Sequence, residues 1–318
     1  MQETEIIVIT PVKDGGWILK QFLDATSMWA DKIVIALDGC TDNSREICIK
    51  YSKVILLEVN STQNLKKDIQ HRENRRNILL EYVRNRCKSA VIVALDVDEI
   101  FTTEILQPNI LAKIRNLTCG NALSVNFREL WFTPLMYRSE SNSNWSGRKM
   151  PCIWRDDGTD YQQSDWHEER CPISKSELLD INLLHYARVV PIIYFSRMRH
   201  YIIRDTIENG KNPWIINYIY ANIRSERGMK LSAVPKEWNS AYLKKHNDFF
   251  HYPDTIDNYY NQEIIKIIKE NYQNNTIYKC DIWDVDWSTI ANDLGLDLPK
   301  LNLSRIKKYQ KINRKIQT

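Results

Sequence analysis

The chain has 318 residues, 43% hydrophobic and 26% charged, the composition of a soluble globular protein large enough for one large domain or a domain plus an extension. Its formal net charge of +4 is uneven: the terminal stretch RIKKYQKINRKIQT, Arg305 to Thr318, holds six basic residues and no acid, and removing those six leaves about −2 elsewhere, which excludes a basic nucleic-acid-binding body. No stretch approaches the roughly 18 apolar residues of a membrane span, and MQETEIIVIT lacks the basic and apolar regions of a secretory signal, so a cytoplasmic protein is expected.

In chain order, EIIVIT (5–10) reads as a buried strand that Pro11 ends, with Gly15-Gly16 as the following turn. WILKQFLDATSMWA puts Ile18, Leu19, Phe22 and Leu23 at helical spacing. KIVIALD is a second buried strand, ending in Asp38. GCTDNSREICIKYS turns and opens a helix, with Asn43 and Glu46 spaced as a capping box. KVILLEV is a third strand, RENRRNILLEYVRNRC a helix, and VIVAL a fourth strand. Strands alternating with helices predict a parallel α/β sheet with right-handed crossovers, in which a ligand sits at the carboxyl ends of the strands. Pro11, Lys13, Asp14, Asp38 and the acids Asp96, Asp98 and Glu99 all follow strand ends, so separate segments aim polar groups at one rim.

After about residue 120, NALSVNFRELWFTP and RKMPCIWRDDG alternate like antiparallel strands, and beyond about residue 195 helical segments such as NQEIIKIIKENYQ dominate. The division expected is therefore 1–195 and a mainly helical 196–318. The seven cysteines are odd in number and scattered without a C-x-x-C pair, which reads as reduced thiols.

Asp96 and Asp98 are two apart, so on an extended chain they point the same way. Oxygen ligands clustered like this suit Mg²⁺ or Mn²⁺. The plain alternative is a solvated strand end before an acidic helix start, where Glu99 would favour the helix dipole. As the end of the fourth strand of a β/α series, the pair favours the metal.

VITPVKDGGWIL, IALDGCTDNSREI, RRNILLEY and ALDVDEIF, in this order and spacing, resemble the successive motifs of family 2 glycosyltransferases with the GT-A fold, a Rossmann-like nucleotide-diphospho-sugar transferase fold. MPCIWR, DWHEERCP and LLHYARV resemble signatures of bacterial members that build surface polysaccharides. The resemblance implies that Thr10, Pro11, Lys13 and Asp14 form the first nucleotide-facing loop and that Asp38 approaches the nucleobase or ribose. It further implies that Arg76 helps hold the base or diphosphate, that Asp96 and Val97 line the nucleotide-sugar site, and that Asp98, with Asp96 and His185, binds Mn²⁺ or Mg²⁺. The acceptor-side base would be Glu168, with Asp165 as second choice, both in SDWHEERCP. The second loop departs from the usual D-D-G-S-T-D, reading Leu37-Asp38-Gly39-Cys40-Thr41-Asp42. Arg155 and Arg170 are expected on the surface.

The function so implied is inverting, metal-dependent transfer of a sugar from a nucleotide-sugar donor, a UDP-sugar, to a glycan or lipid-linked acceptor. In that chemistry a divalent ion stabilises charge building on the departing diphosphate, and a carboxylate takes the acceptor proton. Two rivals stand beside it. One is a sugar-nucleotide nucleotidyltransferase, whose usual Gly-rich, Arg/Lys-containing phosphate loop TPVKDGGW lacks. The other is a non-catalytic nucleotide-sugar-binding scaffold. In the basic tail, Ile306, Tyr309, Ile312 and Ile316 recur at spacings of three, three and four, so a basic helix with an apolar stripe, peripheral on the anionic cytoplasmic membrane face, competes with a solvated terminus.

Overall fold

The structure, a computed structural model, describes residues 4–59, 68–87, 89–140, 146–161, 170–173, 175–224, 229–242 and 258–317. The chain forms two compact units, Met1–Val189 with Lys230–Tyr252, and Val190–Met229 with Pro253–Thr318.

The first unit runs β1 (Glu5–Val12), α1 (Gly16–Thr26), β2 (Lys32–Asp38), α2 (Ser44–Cys48), β3 (Val54–Val59), α3 (Asp68–Arg86), β4 (Ala90–Ala94), β5 (Glu99–Phe101), α4 (Pro108–Arg115), β6 (Ala122–Glu129), β7 (Met136–Arg138), β8 (Ser146–Arg155) and β9 (Ser176–His185). Later in the chain, β10 (Leu231–Ala233) returns to it and pairs antiparallel with β7. Eight strands make one sheet in the order β3-β2-β1-β4-β8-β6-β9-β5. The first four are parallel, and β8 joins β4 antiparallel.

The parallel strands are apolar on both faces because both faces are covered. Ile6, Val8, Ile33, Ile35, Val91 and Val93 pack with Ile18, Leu19, Phe22 and Leu23 of α1. The alternate residues Ile7, Ile9, Val34, Ala36, Ile92 and Ala94 pack with Leu79, Leu80 and Val83 of α3. The period of two along each strand sends these sets to opposite sides. Since β2 and β3 extend the sheet to one side of β1 and β4 lies on the other, the order reverses at β1 and β4. The crevice beyond their carboxyl ends is where open α/β sheets hold ligands.

The second unit comprises α5 (Pro191–Ile207), α6 (Pro213–Arg224), α7 (Asn258–Asn271), α8 (Trp287–Asp293) and α9 (Leu303–Gln317). Ile202, Ile203, Ile264, Ile267, Ile268, Ile277, Ile282 and Trp287 form its core. The Trp287 indole donates to the Ile282 carbonyl at 2.8 Å, and Asp286 caps α8 by accepting from the Ser288 and Thr289 amides. No helix among the described residues is long and apolar enough to cross a membrane.

Four local expectations, and the alternative that put Glu99 at a helix start, need correction. β1 runs on through Pro11 to Val12 along β2, after its pairing with β4 has ended at Ile9. A proline is tolerated where one flank of a strand has no partner. Asn43 makes no side-chain cap; Asp42 Oδ1 instead accepts from the Ser44 amide at 3.0 Å. Glu99 opens β5 rather than a helix, and is buried. Lys230–Tyr252, placed by the sequence in the helical extension, belongs to the first unit. The tail is the helix α9, but Ile306, Tyr309 and Ile312 pack on the core of the second unit, so the stripe proposed to meet lipid faces inward.

Candidate functional site at the carboxyl rim of the parallel strands

The loop after β1 is held by the loop after β2. Asp14 has φ 47°, a left-handed conformation uncommon for a residue with a side chain. It is held there because its Oδ1 accepts from the Thr41 amide at 2.6 Å and the Asp42 amide at 3.3 Å. Asp42 Oδ2 in turn accepts from the Gly16 amide at 2.7 Å. Glycine is required at this crossing: a Cβ on Gly15 would lie 2.9 Å from Val12 Cγ1 and 3.2 Å from Val97 Cγ1. Lys13 Nζ donates to the Gly39 carbonyl at 2.6 Å. Thr10 is fully buried within β1, and Pro11 and Val97 are half-buried.

Two consecutive arginines of α3 tie the ends of two strands. Arg75 donates to Asp38, the last residue of β2, at 2.5 Å. Arg76, 2% exposed, donates to Asp96 Oδ1 at 2.7 Å, just past β4. The other oxygen of Asp96 accepts from Arg170, which also donates to Glu99 at 3.0 and 3.2 Å. Burial disfavours the charge on Arg170, but the Asp96 and Glu99 carboxylates outweigh it and raise its pKa. The Glu99 carboxylate also accepts from the Asp96 amide at 2.8 Å, fixing the turn between β4 and β5. Arg170 is therefore no surface arginine, and neither Arg75 nor Arg170 was among the site residues expected. The doublet Arg75-Arg76 was a visible signal; Arg170 became a partner of Asp96 only through folding.

Asp98 and His185 meet because β5 pairs antiparallel with β9, setting Glu99 opposite His185. The Tyr186 amide donates to the Asp98 carbonyl at 2.8 Å, and His185 Nε2 lies 3.8 Å from Asp98 Oδ1. On its other side, His185 Nδ1 is 3.9 Å from Glu129 Oε1, too far for a hydrogen bond. Glu129 is itself held by Arg188 at 2.5 Å and Arg138 at 3.4 Å.

The expected metal set Asp96, Asp98 and His185 is thus split. Asp96 serves two guanidinium groups, while Asp98 and His185 lie side by side. Asp98 supplies a carboxylate of the kind that holds Mg²⁺ or Mn²⁺ together with ligand phosphates, with the His185 imidazole 3.8 Å away. Among the described residues, Asp14, Cys40 and Asp42 offer three ligand atoms within 4.8 Å of one another. Their carboxylates already accept backbone amides, and burial raises the pKa of the Cys40 thiol, which suits a hard cation poorly. Glu168 and Asp165, expected as the base, lie outside the described residues.

No protein-family model matches the sequence, and no curated protein matches it. Among solved structures, the chain is similar to 4-diphosphocytidyl-2C-methyl-D-erythritol synthase, with TM-score 0.38 and 10% identity over 57% of this chain and 90% of that one. It is also similar to HddC from Yersinia pseudotuberculosis, with TM-score 0.30 and 9% identity over 57% of this chain and 94% of that one. The expectation of a glycosyltransferase is corrected: no family model and no curated relative supports it. Likeness at this level carries no activity across.

Proposed function

We propose that the first unit binds a nucleoside triphosphate at the carboxyl rim of β1, β2 and β4 and transfers its nucleotidyl group to a phosphorylated sugar or polyol. The observation that supports this is the gathering of Lys13, Arg75, Arg76 and Arg170 among the carboxylates of Asp14, Asp38 and Asp96 where the sheet order reverses. Guanidinium groups are suited to phosphate oxygens because their fork of donors meets two oxygens at once. The short TPVKDGGW turn supplies only one cation, and α3 and the residue before Cys171 contribute the rest.

In the reaction, an oxygen of the acceptor phosphate attacks the α-phosphorus of the nucleotide. The bond from that phosphorus to the bridging oxygen breaks, and pyrophosphate leaves with the electron pair. The protein's part is to position the phosphates and stabilise the charge that builds on pyrophosphate. Asp38, buried in its pair with Arg75, anchors that guanidinium at the strand end. Asp98 and His185 would hold Mg²⁺ or Mn²⁺, which supplies Lewis-acid stabilisation of phosphate charge.

The test is a thermal-shift screen of nucleoside triphosphates with and without Mn²⁺, followed by pyrophosphate release in the presence of sugar 1-phosphates. A ligand bound to the folded protein raises its melting temperature by mass action. Stabilisation by a triphosphate, metal-dependent release of pyrophosphate and loss of release in Asp98→Asn are expected. Nucleotide binding without pyrophosphate release from any pair would leave a binding protein, and no nucleotide binding at all would overturn the site.

A further inference from the structure

Arg170 reaches the rim from a bend, in neither a helix nor a strand, so its backbone lacks the regular hydrogen bonds of either. Its guanidinium end is tied by Asp96 and Glu99. Its backbone end is tied by one aromatic residue: the Tyr161 hydroxyl donates to the Arg170 carbonyl at 3.0 Å. Burial pushes the Tyr161 hydroxyl up, and the nearby Arg76 and Arg170 guanidinium groups oppose this only in part, so it keeps its proton and remains a donor.

Tyr161 is itself held from three sides. Its amide donates to Asn77 Oδ1 at 3.1 Å, and its carbonyl accepts from Asn77 Nδ2 at 3.5 Å. Asn77 directly follows Arg76 on α3. The Tyr161 ring stands edge-on to Trp154 of β8, with centroids 6.0 Å apart and planes at 87°. Trp154 is fully buried and lies opposite Ile92 of β4. One side chain therefore connects α3, β8 and the backbone of Arg170. The packing alone would be met by a phenylalanine. A hydroxyl on a buried ring is costly unless it is bonded, and this one is bonded beside the rim.

We propose that Tyr161 is a positioning residue for Arg170, fixing the backbone from which that guanidinium reaches the phosphates. This rests on the nucleotide reading of the rim. Phosphate oxygens entering the rim compete with Asp96 and Glu99 for the donors of Arg170, which loosens the guanidinium end. The carbonyl anchor does not face the phosphates in that competition, so it keeps the arginine aimed as its partners change. Small displacements of a phosphate-holding group are costly to binding and transfer alike.

The test titrates ATP, CTP, GTP and UTP with Mn²⁺ into the full chain by calorimetry and carries forward the triphosphate bound best. Tyr161→Phe keeps the ring and removes the hydroxyl. It should weaken triphosphate binding by about ten-fold, the upper range for one hydrogen bond, with circular dichroism unchanged. The same substitution in an Arg170→Met background should change affinity by less than about two-fold, because a residue acting through Arg170 has nothing left to position. Trp154→Phe, which loosens the ring packing and keeps the hydroxyl, should stay within about two-fold of the natural chain, and it decides the matter where Arg170→Met does not fold. Unchanged affinity in Tyr161→Phe, an equal loss in both backgrounds, or an equal loss in Trp154→Phe would each overturn the positioning role alone. No triphosphate binding by the natural chain would overturn the nucleotide reading and this role with it.

Discussion

The two units distribute their charge differently. In the first, charged groups are drawn inward at the strand ends. Asp38 and Arg76 are nearly inaccessible, and the carboxylates of Asp14, Asp38 and Asp96 are matched to guanidinium groups or backbone amides. In the second, the core is almost all isoleucine and aromatic, the buried charges Arg204 and Asp205 lie together on α5, and the cations of α9 stay in water. The difference follows from backbone direction. Parallel strands all end at the same edge, so whatever polar residues follow them are collected there. Helices packed side by side have no such common edge, and they divide instead into an inner face and an outer one.

If this contrast is right, the two regions respond differently to mutation. The largest effect is expected for Trp287→Ala, which empties an indole-sized space in the second core and removes its hydrogen bond to Ile282. A loss of about 3–5 kcal/mol in urea unfolding is expected, with nucleotide affinity measured well below the melting temperature left unchanged. A large change in affinity would mean the units are not separable.

Arg76→Met comes next. It removes one of the two guanidinium groups that Asp96 accepts from, a buried one, at about 3 kcal/mol. Here nucleotide binding should fall as well, by a larger factor than for Trp287→Ala, measured by thermal shift at fixed ligand concentration. Gly15→Ala is expected to cost about 1–2 kcal/mol, since its Cβ would press on Val12 and Val97, and to weaken nucleotide binding through the loop.

Acid sharpens the comparison further. Burial pushes the Glu140 carboxyl up, but the Arg138 guanidinium, donating at 2.6 Å, prevails and holds it below the usual carboxylate range. A lowered folded-state pKa means stability that is present above the unfolded value of about 4.3 and lost as pH falls through the folded one. The stability gap between the natural chain and Glu140→Gln, followed by urea unfolding, should therefore close as pH falls below about 4. The smallest effect is kinetic. Burial pushes the thiols of Cys48 and Cys280 up to about 12, while Cys119 is exposed. A thiol reagent at neutral pH should label Cys119 first and the other two only on unfolding.

Much of the first unit could be read from the chain itself. β-branched runs such as KIVIALD and AVIVA are two-sided apolar strands wherever they stand, and their alternation with helices determined a parallel sheet and a polar rim. The sequence also marked Asp38, Asp96 and Asp98 by their positions after strands, and Arg76 through the resemblance of RRNILLEY to a family motif. It could not show that Asp96 would be shared by Arg76 and Arg170, because that needs α3 and a segment well beyond β8 to meet at one carboxylate. Nor could it join Asp98 to His185, which depends on the register of β5 against β9. In the tail, the spacing of Ile306, Tyr309 and Ile312 determined a helix with one apolar side. Only tertiary structure decided what that side would meet: an apolar stripe carries no label for its partner, and the core of the second unit lay closer than any membrane.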